Sequence, residues 1–395
     1  MKDIEIINGR ILTPGGIINN GSLLVSGGLI TGVNEGATGS NASLIIDAAG
    51  SYVSPGFIDI HIHGGGGQDF MDGTVEAFLG IAETHARYGT TALTPTTLTA
   101  EKEDLLHTLD VYRQAVPKNE SGAQFLGMHL EGPYFSMNQR GAQDPRHIRN
   151  PDEKEYREIV EHANGCIARW SAAPELEGAM AFGRYMRANG ILPAIAHTDG
   201  VYEDVVNALD NGYTLATHFY SAMSGVTRKN TFRYAGVIES VYLLDGIDVE
   251  IIADGVHLPA PLLKLICKVK GFDRVALITD AMRAAGMPPG ESILGSLKDG
   301  LRVIVEDDVA KLPDRSAFAG SVATADRLVR SMIGLAGISL PDAVRMMTHV
   351  PARIMRIGHR KGSLIPGMDA DIVIFDDDIR IQKTISMGRV IYEGK

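Results

Sequence analysis

Cysteine is scarce in this sequence, and long apolar runs are missing from it. Among its 395 residues only Cys166 and Cys267 are cysteines, and each lies in an apolar context. A disulfide framework is therefore not indicated, and we expect two reduced, buried thiols. No stretch reaches the roughly 18 to 20 apolar residues of a membrane span, and the first residues lack the basic and apolar regions of a signal peptide. These absences favour a cytoplasmic protein.

Basic residues are outnumbered and are not concentrated in any stretch of the chain. The formal net charge is −11 at pH 7. Nucleic acids and anionic membranes bind basic surfaces, so neither is expected as a partner. Apolar residues make up 45% of the chain, which is enough for a large core. The length fits a barrel of about 250 residues together with a smaller module.

The two ends of the chain have the pattern of short β-strands. Residues 1–54 alternate apolar runs with turn pairs such as Asn8-Gly9 and Gly27-Gly28. The last residues repeat this pattern, and neither piece alone can bury the face of a sheet. We therefore predict that residues 1–54 and 359–395 together form a small β-sandwich domain, and that residues 55–358 are inserted between them.

In this inserted region, strand candidates alternate with helix candidates. Such alternation predicts parallel βα units, and eight strands in one domain predict a closed (β/α)8 barrel of the α/β class. A doubly wound open sheet is the alternative, but it would more naturally have fewer strands and a Gly-x-Gly-x-x-Gly turn before its first helix. After the strand that carries His61, the candidates are 91–96, 125–131, 166–172, 192–197, 214–218, 249–253 and 275–279.

The stretch 55–67, PGFIDIHIHGGGG, carries the first sign of chemistry. His61 and His63 are separated by one residue on a strand, so both imidazoles project to the same face, which Asp59 shares. The glycines that follow let other groups approach the backbone closely. Two adjacent histidines at such a strand end fit a metal site better than a core.

Polar residues end several predicted strands, at the edge where a barrel has its active site. A single histidine in such a position is usually structural. Here the number of titratable groups at one edge is hard to sustain without a divalent cation. The candidates are His61 and His63 on the first strand, Glu131 on the third, His197 on the fifth, His218 on the sixth and Asp280 on the eighth.

This set can hold one or two metal ions. One ion could take the histidine pair with Glu131, and the other could share Glu131 with His197 and His218. Imidazole and carboxylate ligands suit zinc or iron, and also manganese, cobalt or nickel. Asp280 is then either the general acid and base beside a metal-activated water, or a helix cap or structural ligand. Its position alone does not separate these roles.

Several other residues are open to two interpretations. His129 either supports a metal ligand or is a buried structural residue. His257, beyond the seventh strand, could reach a substrate from a loop. Arg228, Lys229 and Arg233 either bind a phosphate or form an ordinary solvated face. The remaining histidines, on predicted helices or loops, are expected to be solvated: His85, His107, His147, His162, His349 and His359.

In their order and spacing, these motifs resemble the amidohydrolase superfamily, and more closely the N-acetylglucosamine-6-phosphate deacetylases. The resemblance covers nearly the whole chain. Besides the histidine strand, it rests on NGRILTPGG, HLEGPYFS, SAAPE, AHTDG, THFYSAM, IIADGVH, TDAMRAAGMPPGE and GSLIPGMDADIVIFD. It implies that Glu131, His197 and His218 hold the principal metal, that His61 and His63 complete a second site, and that Asp280 is the catalytic acid and base.

The resemblance also implies substrate contacts from Ser221, Ala222 and His257, and from a basic residue that follows the sixth strand, partly across the interface of a homodimer. The family commonly has Asn where this chain has Ser221, so one amide donor is lost. The basic loop is longer than in many relatives, and any of its cations could replace the phosphate-binding arginine. Gln143 stands where some members have a carbonyl-polarising histidine; it can donate a hydrogen bond but cannot share a proton.

The sequence therefore predicts metal-dependent hydrolysis of N-acetylglucosamine-6-phosphate to glucosamine-6-phosphate and acetate, with Asp280 as acid and base. One alternative is the same deacetylation of another substrate, either N-acetylgalactosamine-6-phosphate or an unphosphorylated N-acyl amine. The other alternative is a non-catalytic metal-binding scaffold, since barrels can lose their chemistry and keep their shape. Retention of Asp280 beside every expected metal ligand argues against the scaffold.

Overall fold

Strands and helices alternate through the middle of the chain, and antiparallel strands lie at both ends. The computed structural model describes residues 2–394. Its strands are β1 (Ile4–Thr13), β2 (Gly16–Ser26), β3 (Leu29–Glu35), β4 (Leu44–Asp47), β5 (Tyr52–Pro55), β6 (Phe57–Ile62), β7 (Gly64–Gly65), β8 (Gln68–Asp69), β9 (Thr90–Pro95), β10 (Gln124–Phe125), β11 (Met128–Glu131), β12 (Ile167–Ala172), β13 (Leu192–Ile195), β14 (Leu215–Ala216), β15 (Thr227–Lys229), β16 (Phe232–Tyr234), β17 (Asp248–Ile251), β18 (Val275–Leu277), β19 (Gly290–Leu294), β20 (Leu301–Glu306), β21 (Val309–Lys311), β22 (Phe318–Ser321), β23 (Ile372–Phe375), β24 (Ile381–Ser386) and β25 (Arg389–Glu393). Its α-helices are α1 (Val75–Ala86), α2 (Lys102–Ala115), α3 (Glu153–Ala163), α4 (Ala179–Ala188), α5 (Tyr202–Asp210), α6 (Val237–Leu243), α7 (Ala260–Lys270), α8 (Ala325–Ser331), α9 (Leu340–Met347) and α10 (His349–Ile354).

Strands from both ends of the chain meet in one mixed sheet. Its order is β25-β24-β23-β5-β1-β2-β3, with β4 also paired to β1. The junction between the two ends is the antiparallel pairing of β5 with β23, in which Tyr52 lies opposite Phe375. Ile4, Val53 and Ile372 belong to one buried cluster, so the sheet has an apolar core to which both ends contribute.

The parallel strands of the middle region form two sheets that lie edge to edge. One has the order β10-β9-β6, and the other β11-β12-β13-β14-β17-β18. Backbone hydrogen bonds join their edges, from Thr97 N to His129 O at 3.0 Å and from Asp280 N to His61 O at 2.9 Å. Because the strands are parallel, their carboxyl ends lie at the same edge. The residues that follow those ends are therefore brought together.

The third predicted strand is divided in the structure. β10 and β11 are separated by Leu126 and Gly127, and Gly127 has a φ of 108°, a conformation that breaks the regular pairing. α4 begins at Ala179 rather than at Glu175, because Gly178 at its amino end has a left-handed φ of 87°. These shifts change element boundaries and leave the strand-to-helix order unchanged.

An antiparallel sheet between β18 and α8 was not predicted from the sequence. It consists of β19, β20, β21 and β22 in that order. Its strands are short and partly exposed, so they lack the apolar runs that mark the other strands. Val303 and Ala319 pack beside Met282 in a separate buried cluster, which places β22 against the loop that follows β18.

The prediction that His85 is solvated is wrong. His85 is fully buried on α1, on the helix face that also carries Phe78, Ile81 and Ala82 at helical spacing. Its Nε2 lies 3.0 Å from the carbonyl oxygen of Gly64. Burial lowers the pKa of this imidazole to about 4, so it is a neutral core residue that contacts the glycine turn.

The expectation of free thiols agrees with the structure. Cys166 and Cys267 are both unbridged; Cys267 is buried as predicted, whereas Cys166 is only half-buried, and that part of the prediction is wrong. Within residues 2–394, none of the helices combines the length and the apolar character needed to cross a bilayer.

Candidate metal centre

Six titratable side chains converge where the parallel strands end. The loops that follow β6, β13, β14 and β18 supply His63, His197, His218 and Asp280. The strands themselves supply His61 from β6 and Glu131 from the end of β11. All six residues are less than a tenth exposed. The convergence of buried imidazoles and carboxylates matches the arrangement expected from the sequence.

Glu131 lies at the centre of this group. Its Oε1 is 3.0 Å from His218 Nε2, 3.3 Å from His61 Nε2 and 3.5 Å from His197 Nε2. Its Oε2 is 3.4 Å from His63 Nε2. One carboxylate oxygen thus faces three imidazoles and the other faces the fourth, which is the geometry of a carboxylate placed between two ligand sets.

The potential ligand atoms form two compact sets. Within each set the atoms lie within 4.8 Å of one another. One set is Glu131, His197 and His218, which were also predicted from the sequence to share one ion; for the other ion, the sequence predicted Glu131, not Asp280, with the histidine pair. The other set joins His61 and His63 to Asp280, whose Oδ1 is 3.1 Å from His63 Nε2. Asp280 is therefore close enough to serve as a ligand as well as an acid or base.

Backbone carbonyls define which nitrogen of two histidines faces the cluster. His197 Nδ1 lies 2.8 Å from Gln139 O, and His218 Nδ1 lies 3.2 Å from Ser221 O. Carbonyl oxygens only accept, so each Nδ1 carries the hydrogen in the neutral imidazole. Each Nε2 then turns a lone pair towards the Glu131 carboxylate, which is also an acceptor. Two acceptors at this distance need a cation or a proton between them.

The electrostatics of the cluster favour a cation. Burial lowers the pKa of His61, but the charges of Glu131 and Asp280 outweigh it and raise this pKa to about 10. Burial raises the pKa of Glu131, yet the charge of His61 and the close approach of the His197 and His218 rings bring it well below its usual value. His61 Nε2 is buried and makes no hydrogen bond within residues 2–394. The donor set thus fits a divalent metal, whose binding would displace protons.

The pKa of Asp280 is determined by the same opposing effects of burial and neighbouring charge. Burial raises its pKa, while the charge of His61 and the hydrogen bond and charge of His63 lower it further than burial raises it. The carboxylate is consequently ionised at neutral pH and can accept a proton. This condition is required of a general base, and it is compatible with metal ligation.

The backbone is strained at three of these positions. His197, His218 and Asp280 have φ values of 47°, 29° and 48°, in the left-handed region that side chains other than glycine rarely adopt. Each residue lies two or three positions past the end of a parallel strand, so the chain turns sharply there and aims the side chain at the strand-end space. Such strain persists where the surrounding structure enforces it, and it is common at functional sites.

A cavity of about 330 Å³ opens onto the cluster. Its wall includes four of the residues that the sequence predicted as substrate contacts: Gln143, Ser221, Ala222 and His257. Gln143 donates from Nε2 to Glu131 Oε2 at 2.7 Å, and its Oε1 accepts from Thr99 N at 2.9 Å. Its amide is therefore fixed in orientation beside the metal ligands.

The basic residues of the loop after β14 do not line this cavity. Arg228 and Lys229 lie on β15, and Arg233 lies on β16, in a two-stranded hairpin whose residues are all exposed. Within one chain, the structure does not bring these cations to the cluster. Their role in binding phosphate remains a prediction.

His129 has a structural environment. Its Nε2 is 2.7 Å from Ser171 Oγ, and its Nδ1 is 3.2 Å from Thr96 Oγ1. Burial and the charge of Arg169 keep its pKa well below the usual value, so the ring is neutral. The ring packs edge-on against His61 at 4.6 Å between centroids. The burial and hydrogen bonds of His129 agree with a structural role, and its packing against His61 shows that it also supports the ring of a ligand candidate.

Sequence reasoning missed several residues that line the cavity or support a residue of its wall. Asp254 accepts from His257 N at 2.8 Å and lies 2.8 Å from His257 Nδ1, so it fixes the ring that faces the cavity. Its spacing of three residues from His257 was a usable signal. Phe318 packs on the same ring at 4.7 Å, but it comes from the unpredicted β22. Gln139 contributes through its backbone carbonyl, which sequence does not mark.

Parallel strands with histidines and carboxylates at their carboxyl ends are typical of metal-dependent hydrolases among α/β proteins. The model of the amidohydrolase family matches residues 52–391, and the chain belongs to this family. The resemblance inferred from the motifs is thereby confirmed, and the chain is an enzyme of the hydrolase class.

Curated relatives within this family match nearly the whole chain. The N-acetylglucosamine-6-phosphate deacetylase of Bacillus subtilis is 33% identical, over 100% of this chain and 97% of that protein. The N-acetylgalactosamine-6-phosphate deacetylase of Escherichia coli O157:H7 is 30% identical, over 96% of this chain and 97% of that protein.

A solved structure covers the same extent. A mutant N-acetyl-D-glucosamine-6-phosphate deacetylase from Mycobacterium smegmatis, in complex with N-acetyl-D-glucosamine-6-phosphate, has a TM-score of 0.90 and 29% identity. The match covers 99% of this chain and 100% of that one. The similarity therefore includes both the terminal sheet and the parallel strands.

Proposed function

We propose that this chain hydrolyses the acetamide of N-acetylglucosamine-6-phosphate to glucosamine-6-phosphate and acetate. The observation that carries the proposal is a buried cluster that lines a cavity of about 330 Å³; its members are His61, His63, Glu131, His197, His218 and Asp280. The full-length similarity to deacetylases of amino-sugar phosphates supports the choice of reaction.

One or two divalent metal ions, zinc or iron by preference, would be held by the two ligand sets. A bound cation would supply polarisation of the acetyl carbonyl and activation of a water. Asp280 would take a proton from the attacking water and return it to the departing amine nitrogen. The amide of Gln143 is fixed by Glu131 and Thr99, and this residue would help to orient the acetyl carbonyl of the substrate in the cavity.

We assign recognition of the sugar to the cavity wall and recognition of the phosphate to the basic hairpin of a partner subunit. The wall offers Ser221, Ala222 and His257 as contacts. The hairpin carries the exposed apolar side chain of Phe232, at 70%, and Val226 just before it is 58% exposed; an interface between two copies would cover both. In a homodimer, cations of one chain could then reach the cavity of the other.

Phosphate recognition can be measured by comparing kcat/KM for N-acetylglucosamine-6-phosphate and N-acetylglucosamine. We expect removal of the phosphate to lower kcat/KM about 10- to 100-fold, because charge-assisted contacts contribute roughly 1.5–3 kcal/mol. Methionine replacement of Arg228, Lys229 and Arg233 should reduce the ratio of kcat/KM for the phosphorylated sugar to kcat/KM for the plain sugar. Arg389→Met, on the exposed strand β25, is the matched control and should leave it unchanged. Equal kcat/KM for both sugars would mean that the hairpin is only a solvated face.

Deacetylation of N-acetylgalactosamine-6-phosphate is the second candidate, and it is favoured by the relative of that name at 30% identity. The two substrates differ in configuration at one carbon, so the same assay separates them. The non-catalytic scaffold would be supported only if the purified protein held metal and released no acetate from any of these sugars.

The division of the cluster into two sets can be tested with a double variant, His61→Asn/His63→Asn. We expect it to lose one metal equivalent and to keep a residual activity, because Glu131, His197 and His218 form a separate set. Metal content by atomic emission and acetate release are the measurements. His359→Asn, an exposed histidine, is the control. Loss of all metal from the double variant would show that the histidine pair is indispensable to both sites.

We also propose that the two parallel sheets close into a (β/α)8 barrel and that residues 1–54 and 359–395 form a β-sandwich domain. The hydrogen bonds at both sheet edges support closure. The shared buried cluster of the terminal strands supports the second domain.

A further inference from the structure

A buried ion pair lies beneath the metal cluster, and the proposed reaction does not use it. Glu250 on β17 and Arg169 on β12 are both fully buried, and they bind each other through Nη1–Oε1 and through Nη2–Oε2, the latter at 3.1 Å. Glu250 Oε2 also lies 3.4 Å from His61 Nδ1. Arg169 Nη1 donates to Ile60 O at 2.9 Å. The pair therefore contacts both the ring of His61 and the strand that carries it.

We propose that Glu250 and Arg169 are positioning residues that orient His61 as a metal ligand and so determine whether the set of His61, His63 and Asp280 binds its cation. The inference rests on the metal centre of the proposed function. It does not depend on which substrate the enzyme uses.

The chemistry of Glu250 selects the orientation of the imidazole. An ionised carboxylate only accepts, so His61 carries a hydrogen on Nδ1, and Nε2 is the nitrogen that faces the cluster and would donate its lone pair to a bound cation. A carboxylate behind a ligating histidine also makes the ring a stronger donor to metal. Glu250 thus supplies to His61 both a fixed direction and added basicity.

The four histidines of the cluster differ in the group that contacts Nδ1, the ring nitrogen on the side away from the cluster. His197 and His218 are backed by the neutral carbonyls of Gln139 and Ser221. His63 Nδ1 is buried and has no hydrogen-bond partner within residues 2–394. His61 is backed by a carboxylate at 3.4 Å. In the set to which His61 belongs, Glu250 is therefore the group that can orient a ligand ring through its Nδ1.

Arg169 compensates the buried negative charge of Glu250. A carboxylate buried without a counter-charge is strongly destabilising, and the bidentate guanidinium compensates it. Because the same guanidinium binds the carbonyl of Ile60, next to His61, the pair also fixes the backbone from which the ring projects. The competing explanation is that the ion pair only joins β6, β12 and β17.

The decisive variant is Glu250→Gln, which keeps the shape and removes the charge. We expect one of two metal equivalents to bind 10- to 100-fold more weakly, the usual effect of losing a group that supports a metal ligand, while the other equivalent is unchanged. The measurement is titration of the metal-free protein with zinc or cobalt against a chromophoric chelator. No substrate is present, so a failure of the proposed deacetylation cannot mimic the result.

A second variant separates positioning from stability. Glu250→Gln leaves Arg169 as an unpaired buried cation, whereas Glu250→Gln/Arg169→Met removes both charges and retains a long side chain. We expect the double variant to regain the melting temperature lost in the single variant but not the metal affinity. If Glu250→Gln does not fold, the double variant alone decides.

The matched control is Asp248→Asn, two residues earlier on β17. Asp248 pairs with Arg353 at 2.9 Å and has no contact with His61, so its loss should lower stability without changing either metal equivalent. Unchanged metal affinity in the Glu250 variants would overturn the proposal. Recovery of metal affinity together with stability in the double variant would also overturn it, since the pair would then be only a structural brace.

Discussion

Asp280→Asn is expected to lower kcat for acetate release by about 10³-fold or more while the protein retains its bound metal. Asparagine has the shape of aspartate and keeps an oxygen near His63, but it cannot accept a proton at neutral pH. Loss of general acid and base catalysis alone costs about 10²–10⁴-fold. Both the protonation of the amine and the deprotonation of water would fail, because one carboxylate serves both steps.

The measurements for Asp280→Asn are steady-state acetate release and metal content of the same preparation. Asp326→Asn is the control, since Asp326 is also a buried carboxylate but pairs with Arg330 on α8. Activity at the level of the unmodified enzyme would exclude Asp280 as acid and base. Loss of metal would instead assign Asp280 to ligation, which its distance of 3.1 Å from His63 Nε2 also permits.

Glu131→Ala is expected to release metal from both sets and to abolish measurable turnover. Both Glu131 oxygens face imidazoles, so removal of this carboxylate takes a ligand from the centre of the cluster and leaves four histidines without it. Loss of metal removes carbonyl polarisation and water activation together. Several kcal/mol of barrier then return, which corresponds to a decrease of about 10³-fold or more.

The Glu131 variant is distinguished from the histidine double variant by its metal content. Glu131→Ala should hold less than one equivalent, whereas His61→Asn/His63→Asn should hold one. Glu158→Gln, an exposed glutamate that pairs with Lys102, is the matched control and should be unchanged. Two full equivalents in Glu131→Ala would place the metals elsewhere in the chain.

The elements of the site that sequence predicted are those governed by simple geometry. In the sequence, alternation along an extended stretch predicts His61 and His63 on one face, and parallel strands bring residues such as Glu131 and His218 to a common edge. These relations depend on residue order alone. For this reason the amino-acid sequence alone predicts the ligand candidates.

The elements that sequence did not predict depend on contacts between distant strands. Glu250 and Arg169 are 81 positions apart, and each resembles an isolated polar residue within an apolar strand. Phe318 reaches His257 from a sheet whose short, half-exposed strands give little periodic signal. The hydrogen bonds of His197 and His218 end on backbone carbonyls, which every residue possesses. None of these partners is marked by residue type or spacing.

The pairing of β5 with β23 also determines when, during synthesis of the chain, the terminal sheet can be completed. Tyr52 and Phe375 are opposite each other in the sheet, yet more than 300 residues of chain are made between them. Until β23 leaves the ribosome, β5 has an open edge, and the cluster around Val53 lacks Ile372. The nascent chain must therefore carry an unfinished amino-terminal sheet while the catalytic region folds, and a chain that stops before residue 372 cannot complete it.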